Sequence, residues 1–273
     1  PELYNVSVEY APPAPPSVED VLFTDDPNDA GDRDLLTLYG GITKEIVCNG
    51  TVNDEDGAED IENASAVIYW KGGGYDFDCT ENNTNCYVNN SCYLWNKNDT
   101  AKYAECRFQI WWNAEPGEWE CFMKAYDTTE SANSTDNATV QSLIAIEVEE
   151  SIDFGTMELG EISAEDVNVS IKNWGNVKID IQLNGTDLSC DIGSIPVGNL
   201  RYNCSYYGQS YSDMKSLTST LTDCSDFDLE KSSTATGTPV ETSKNLPWKI
   251  EIPEAEVKGN CTGTVRIIGI LDQ

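Results

Sequence analysis

The chain carries ten cysteines, and their distribution limits the folds open to it more than any other feature. They form two groups, Cys48, Cys79, Cys86, Cys92, Cys106 and Cys121 in the first half, and Cys190, Cys204, Cys224 and Cys261 in the second. An even number in each group predicts disulfides that close within each half. The sequence has no CxxC pair and no histidine, so it lacks the usual zinc ligands. Disulfides in turn predict an oxidising compartment, extracellular or at the cell surface.

Sites for N-glycosylation are the second constraint. With 23 asparagines and 43 serines and threonines in 273 residues, about 4 Asn-x-Ser/Thr triplets are expected by chance. The chain has 12, and none has proline in the middle. Because a glycan is bulky and must face solvent, we expect covalent N-glycans and surface positions at all of them. They are Asn5, Asn49, Asn63, Asn82, Asn89, Asn98, Asn133, Asn137, Asn168, Asn184, Asn203 and Asn260.

Acidic residues dominate the charge. Aspartate and glutamate total 48 against 16 lysines and arginines, which gives a formal net charge of -32. Such a surface repels nucleic acid and anionic lipid, which excludes both as partners. The repulsion is offset either by counter-ions on a solubilising surface, the interpretation we favour, or by bound cations. No apolar run approaches the roughly 20 residues of a membrane-spanning helix, so we expect no membrane insertion.

The hydrophobic pattern favours strands throughout, and no amphipathic helix is apparent. In the first half the predicted strands are Val18–Thr24, Lys44–Val52, Ala66–Lys71, Lys102–Trp112, Glu118–Tyr126 and Val140–Glu149. In the second half they are Ser151–Leu159, Asp166–Lys172, Val177–Leu183, Asn199–Tyr206, Pro247–Ile252 and Gly259–Leu271. Residues 173–176 predict a turn, and the Ser/Thr-rich stretch 231–243 an exposed loop. The fold class is therefore all-β.

The spacing of Cys48, Trp70 and Cys121 is typical of an immunoglobulin-like sandwich. That fold bridges its second and sixth strands with a disulfide and packs a tryptophan of the third strand on the bridge. Trp119, two residues before the second cysteine, occupies the place of the tyrosine corner. The spacing favours a Cys48–Cys121 bridge. For the other four cysteines of this half we expect Cys79–Cys86 and Cys92–Cys106, although six cysteines allow 15 connectivities.

The N-terminus has the pattern of a detached strand. Tyr4, Val6, Val8 and Tyr10 alternate with polar residues, as in a half-buried strand. Four prolines within residues 12–16 then favour a stiff polyproline II spacer. We therefore divide the chain into a donor-strand candidate with its Pro-rich linker over 1–17, an immunoglobulin-like sandwich with a disulfide-rich insertion over 18–149, and a second immunoglobulin-like sandwich over 150–273.

Several runs resemble tandem immunoglobulin-like ectodomains of secreted archaeal surface proteins. They are residues 45–57 followed by Asp60-Ile61, residues 108–121, and Asp153-Phe154-Gly155 with Asn173-x-Gly-Asn176. The resemblance implies a surface location and sandwich folds, and no activity. The N-terminal strand with its spacer departs from a plain ectodomain and is similar instead to pilus subunits joined by donor strands.

Catalysis is not expected of this chain. Histidine, the common general base, is absent, and oxidised cysteines supply no thiolate. Glycosidases use a pair of carboxylates, but among 48 acidic residues some pair will lie at a suitable distance by chance, so such a pair is no evidence of catalysis. We predict that the protein is no enzyme and requires no cofactor.

Two acidic loops are candidate calcium sites, since calcium takes several oxygens from one tight loop. One is Asp54, Asp56 and Asp60 around Gly57, and the other is residues 25–34 with Asp25, Asp26, Asp29, Asp32 and Asp34. A solvated acidic loop is the alternative that we favour for both. The adjacent Trp111 and Trp112 point to opposite faces of a strand, so the outward ring could stack on a sugar or, as we favour, be covered by neighbours.

The function that the sequence favours is a structural subunit of an extracellular glycosylated filament, a pilus that is not of type IV. In this interpretation the partners are copies of the chain itself in a helical homopolymer, joined when residues 1–10 of one subunit insert into the next. The alternatives are an adhesin or carbohydrate-binding ectodomain and a component of an S-layer.

Overall fold

The computed structural model describes residues 13–26, 34–80, 82–254 and 256–272. The predicted donor strand of Tyr4, Val6, Val8 and Tyr10 and the sequon at Asn5 lie outside these residues. The described residues form twenty strands and four short 3₁₀ helices, so the predicted all-β class is confirmed. Among these residues, no helix is both long and apolar enough to cross a membrane.

The chain divides into two compact units. The first contains the described residues up to 37 together with 44–110 and 117–141, and the second contains 38–43, 111–116 and the described residues from 142 onward.

The first unit consists of two sheets. Its strands are β1 Ser17–Thr24, β2 Leu35–Leu36, β3 Thr43–Asn53, β4 Asn63–Trp70, β5 Cys86–Asn89, β6 Tyr93–Asn98, β7 Ala101–Trp111, β8 Gly117–Tyr126 and β9 Ser131–Val140, with 3₁₀ helices at Ala58–Asp60 and Lys71–Gly73. One sheet has the order β1-β3-β7-β6 and the other the order β2-β9-β8-β4-β5. The strand β2 runs parallel to β9, whereas the pairs β5–β4, β4–β8 and β8–β9 are antiparallel.

Inward-facing side chains of both sheets form the core of the first unit. In β7 the residues at even positions from Ala104 to Ile110 are buried and those between them are not, which is the two-residue period of a strand with one wet face. Cys48 of β3 and Cys121 of β8 form a disulfide that joins the two sheets, and neither residue is exposed to solvent. The buried apolar strip of each sheet thus faces the other, as in a β-sandwich.

Two predictions for the first unit need correction. Trp70 does not lie opposite the bridge, because the residue of β4 that pairs with Cys121 is Ile68, while Trp70 pairs with Trp119 at the end of the strand. The predicted strand Val140–Glu149 does not form as one element. Between Val140 and Ile146 the backbone leaves the ladder, and Leu143 donates its N–H to Oδ1 of Asn176 over 2.6 Å instead.

The second unit contains three sheets. Its strands are β10 Ile146–Val148, β11 Val167–Asn173, β12 Ile179–Gly185, β13 Leu188–Ile192, β14 Ser194–Ile195, β15 Leu200–Tyr202, β16 Lys215–Ser216, β17 Thr222–Leu229, β18 Thr242–Ile250, β19 Lys258–Thr262 and β20 Val265–Leu271, with 3₁₀ helices at Val197–Asn199 and Tyr211–Asp213. The orders are β10-β11-β18-β15-β16, β17-β12-β20 and β14-β13-β19.

The core of the second unit lies under β18, which is central in its sheet. Leu246 to Ile250 are all buried there, and Trp248 packs on Tyr202 of β15 with ring centroids 5.4 Å apart. Buried apolar residues of β12 and β17, among them Ile181 and Phe227, complete the same core. These residues are large enough to exclude water from the space between the sheet that contains β18 and the sheet that contains β12.

Two strand predictions for the second unit were also wrong. Residues 151–159 are irregular, because Asp153 accepts the N–H of Gly155 on its side chain and Gly155 has a positive φ of 67° that ends the extended backbone. Residues 259–271 are two strands, since Lys258–Thr262 pairs with β13 while Val265–Leu271 pairs with β12.

Candidate functional site

The acidic loop between β3 and β4 is fixed by backbone hydrogen bonds at several points. Asp54 donates its N–H to the carbonyl of Thr100 over 2.8 Å, and Ala58 donates to that of Asp99 over 2.8 Å. At its other end Glu62 donates to Tyr126 over 2.9 Å. These hydrogen bonds attach the loop to the β6–β7 turn and to the end of β8. The backbone that carries its carboxylates is therefore fixed at both ends.

Three carboxylates of this loop come together. Asp54, Asp56 and Asp60 each place one oxygen within 4.8 Å of the oxygens of the other two. Gly57 makes the arrangement feasible, since its φ of 131° lies where a side chain would be strained, and it starts the 3₁₀ helix that carries Asp60. The structure therefore brings together the three residues that the sequence singled out.

Asp54 is the unusual member of this group. Only 2% of its surface is exposed, and its Oδ1 accepts the N–H of Asp56 over 2.9 Å. Its Oδ2 is buried and has no hydrogen-bond partner among the residues that the structure describes. Burial raises the pKa of this carboxyl, the hydrogen bond from Asp56 opposes that rise, and the negative charges of Asp127, Asp56 and Asp60 add to it.

A second acidic cluster lies in the other unit and differs in one respect. Asp180, Asp228 and Asp272 also place carboxylate oxygens within 4.8 Å of one another. Here the Nζ of Lys178 forms ion pairs with Asp228 and, over 3.0 Å, with Asp272. The ammonium group supplies one positive charge to this cluster, and hydrogen bonds to Asp228 and Asp272 raise the pKa of the lysine.

The other predicted calcium loop is only partly described. Asp29 and Asp32 lie outside the described residues. Oδ2 of Asp25 accepts the N–H of Thr37 over 2.9 Å and pairs with Nζ of Lys44 over 2.5 Å. This carboxylate is thus engaged by a protein cation, and nothing in the described part of the loop favours a metal.

All ten cysteines are paired. The structure contains the bridges Cys48–Cys121, Cys79–Cys86, Cys92–Cys106, Cys190–Cys261 and Cys204–Cys224, so the bridges close within each half. The three of the first half are the pairs expected from the sequence. In the second half Cys190 and Cys261 stand directly opposite each other in the β13–β19 ladder.

The described sequon asparagines are all at or near the surface. Asn82, Asn98, Asn133, Asn137, Asn168 and Asn260 are exposed, and Asn49, Asn63, Asn89, Asn184 and Asn203 are half-buried. Nothing in the structure tests whether they carry glycans, which stays a prediction.

Neither tryptophan of the pair Trp111 and Trp112 is fully exposed, in line with the covering by neighbours that the sequence favoured. Trp112 is 1% exposed and packs edge-on against Trp174, with centroids 5.5 Å apart, and Trp111 is half-buried. Instead, Tyr93, Trp95 and Tyr103 form a row on β6 and β7, with centroids 5.3 and 5.4 Å apart. Their exposed fractions are 69%, 38% and 38%. The sequence feature that could have predicted this row is the alternation of Tyr93 and Trp95 in one short strand.

Comparison with known proteins shows no family for this chain. No protein-family model matches the sequence, and no curated protein matches it. Among solved structures, BspA_C_mut is 9% identical with a TM-score of 0.27, over 95% of this chain and 96% of that one. A DUF4785 family protein from Legionella pneumophila is 9% identical with a TM-score of 0.25, over 87% of this chain and 45% of that one.

The FN1–FN3 domains of chicken CNTN1 are 10% identical with a TM-score of 0.21, over 96% of this chain and 69% of that one. At these TM-scores the likenesses carry no weight for fold or function. The strand pairing and five disulfides of the chain itself show an all-β, disulfide-rich protein of the kind found outside the cell.

Proposed function

We propose that the chain is a structural subunit of an extracellular, N-glycosylated filament, in which residues 1–10 of one copy add a strand to the next copy. The strand order of the first unit and its inter-sheet disulfide support an immunoglobulin-like module, which is a frequent building block of extracellular assemblies. The extracellular archaeal setting rests on the sequence resemblance and stays a prediction.

The observation that carries this proposal is the edge strand β20. It pairs with β12 on one side and is the last strand of its sheet among the described residues. Its sequence, Val-Arg-Ile-Ile-Gly-Ile-Leu, is apolar on both faces, and Leu271 is 47% exposed. Natural proteins normally protect an edge with charges or proline, and this strand carries one arginine. An apolar edge with a single charge is suited to accept a strand from another chain.

The chemistry of the two partners matches. Tyr4, Val6, Val8 and Tyr10 supply one apolar face, and the sequon at Asn5 falls on the opposite one. Backbone hydrogen bonds would give affinity, and alternate side chains would give register. Because donor and acceptor are different surfaces of one molecule, the contact is heterologous and propagates as an open filament.

Deleting residues 1–10 is expected to abolish filaments and leave a monomer, as seen by negative-stain microscopy and sedimentation. The double variant Val6→Lys/Val8→Lys should behave in the same way, because it places charge on the inserted face. Asn5→Gln, which removes the sequon and keeps the apolar face, is the matched control and should still assemble. Filaments formed by the deleted chain would rule the proposal out, and a two-dimensional lattice from the intact chain would favour an S-layer instead.

The row of Tyr93, Trp95 and Tyr103 favours a second function, carbohydrate binding. Exposed aromatic rings in contact with one another form an apolar patch with a polar rim, and Nζ of Lys97 lies 5.0 Å from the centroid of Tyr103. The C–H face of a pyranose stacks on such rings, and the net charge of -32 favours a neutral glycan over an acidic one.

If this patch binds sugar, Trp95→Ala should weaken binding to glycans identified on an array by about tenfold or more, since the loss of a stacked ring costs at least about 1.4 kcal/mol. Phe77→Ala removes another exposed ring elsewhere and should leave binding unchanged. An array without binding, or equal affinities of the two variants, would dismiss this function.

A further inference from the structure

The carboxylate of Asp54 lies in surroundings where a carboxylate ordinarily has a positive counter-charge. An isolated buried carboxylate is strongly disfavoured unless it is paired or coordinates a metal. Its Oδ2 lacks a partner among the described residues, and the charges that act on it, those of Asp127, Asp56 and Asp60, are all negative. The surroundings therefore lack one positive charge at this point.

The oxygens around this point suit a hard cation. Calcium binds carboxylate oxygens at about 2.3–2.6 Å, so two ligands on opposite sides of the ion are up to about 5 Å apart. The oxygens of Asp54, Asp56 and Asp60 lie within 4.8 Å of one another, which fits that span. Magnesium, with ligands at about 2.0–2.1 Å, demands near-ideal octahedral geometry and usually keeps several waters, so a group of three carboxylates favours the more adaptable calcium. Asp56 is exposed and leaves the site open to water, which would complete the coordination.

The cluster of Asp180, Asp228 and Asp272 serves as an internal comparison. It also has three carboxylates with oxygens within 4.8 Å of one another, and there Lys178 forms ion pairs with two of them. Among the described residues, neither Asp54 nor Asp56 nor Asp60 forms an ion pair with a lysine or arginine. The chain thus supplies one cation to the cluster of Asp180, Asp228 and Asp272, and it supplies none through an ion pair to the group around Asp54.

The site also contacts the proline-rich linker. Ala14 donates its backbone N–H to Oδ2 of Asp56 over 2.6 Å, and it lies three residues before β1 begins. We infer that Asp54, Asp56 and Asp60 bind one calcium ion, and that the bound ion holds the linker at Ala14 against the first unit. A carboxylate whose rotamer is fixed by the ion presents a fixed acceptor to the amide of Ala14.

The test uses the full chain with its disulfides intact, freed of metal by chelation and titrated with calcium chloride. We expect one ion per chain by calorimetry. At about 100 times Kd the melting temperature should rise by about 5 to 10 °C. Hydrogen exchange of the peptide that contains Ala14 should slow when calcium is added.

Three variants and one other cation make the outcome decisive. Asp54→Asn keeps the acceptor for Asp56 and removes the charge, so it should lose the calcium response without losing stability in chelator; Asp60→Asn should also lose the response. Asp228→Asn in the comparison cluster should keep it. A response that survives Asp54→Asn, no response in the parent protein, or an equal response to magnesium at the same concentration would overturn the inference. The binding and melting assays need no filaments, so their outcome is independent of the proposed function.

Discussion

Replacing Cys48 and Cys121 together by alanine should lower the free energy of unfolding by about 4 kcal/mol. The bridge closes a loop of 73 residues, and the loss of chain entropy that a cross-link imposes on the unfolded state grows with loop length. Both residues are fully buried and join the two sheets of the first unit, so no local contact replaces the bridge.

The matched control is the pair Cys79 and Cys86, which are separated by only 7 residues. The same relation predicts a loss of about 2 kcal/mol for their double alanine variant. Urea unfolding followed by tryptophan fluorescence measures both. Equal losses would show that loop length does not determine what these bridges contribute, and a larger loss for the short loop would contradict the expectation outright.

Strands were predictable where large apolar residues alternate with polar ones, as in β7. The strand β9, Ser-Ala-Asn-Ser-Thr-Asp-Asn-Ala-Thr-Val, was missed because its inward residues are small or polar. One of them, Asp136, accepts the N–H of Phe23 on Oδ2 over 2.8 Å, so a carboxylate takes the place that an apolar side chain normally has. A period of two in hydrophobicity cannot detect such a strand.

The two acidic clusters show that sequence patterns have the same limit for a candidate site. Asp54, Asp56 and Asp60 lie within seven residues of sequence, so their convergence could be read from spacing. Asp180 and Asp228 lie on β12 and β17, whose pairing brings them together, and no local pattern marks that. What spacing could not indicate was the burial of Asp54 or the lysine that forms ion pairs with Asp228 and Asp272.

The turn between β11 and β12 gives a physical meaning to the motif Asn-x-Gly-Asn. Asn173 is fully buried, and its Nδ2 donates to the carbonyls of Val177 over 2.9 Å and Glu230 over 3.2 Å. Its Oδ1 accepts the N–H of Gly175 over 2.8 Å. A Cβ on Gly175 would lie 2.1 Å from the carbonyl oxygen of Leu143, so only glycine fits there.

Asn173→Ala should therefore destabilise the second unit by about 3 kcal/mol, because it leaves several buried backbone groups without partners, each of which costs about 1–3 kcal/mol. Asn245→Ala changes the same residue type at an exposed position of β18 and should stay within about 0.5 kcal/mol of the parent protein. Urea unfolding of the two variants, prepared without glycans, compares them directly. If both unfold at the same urea concentration, the buried amide of Asn173 does not hold the turn.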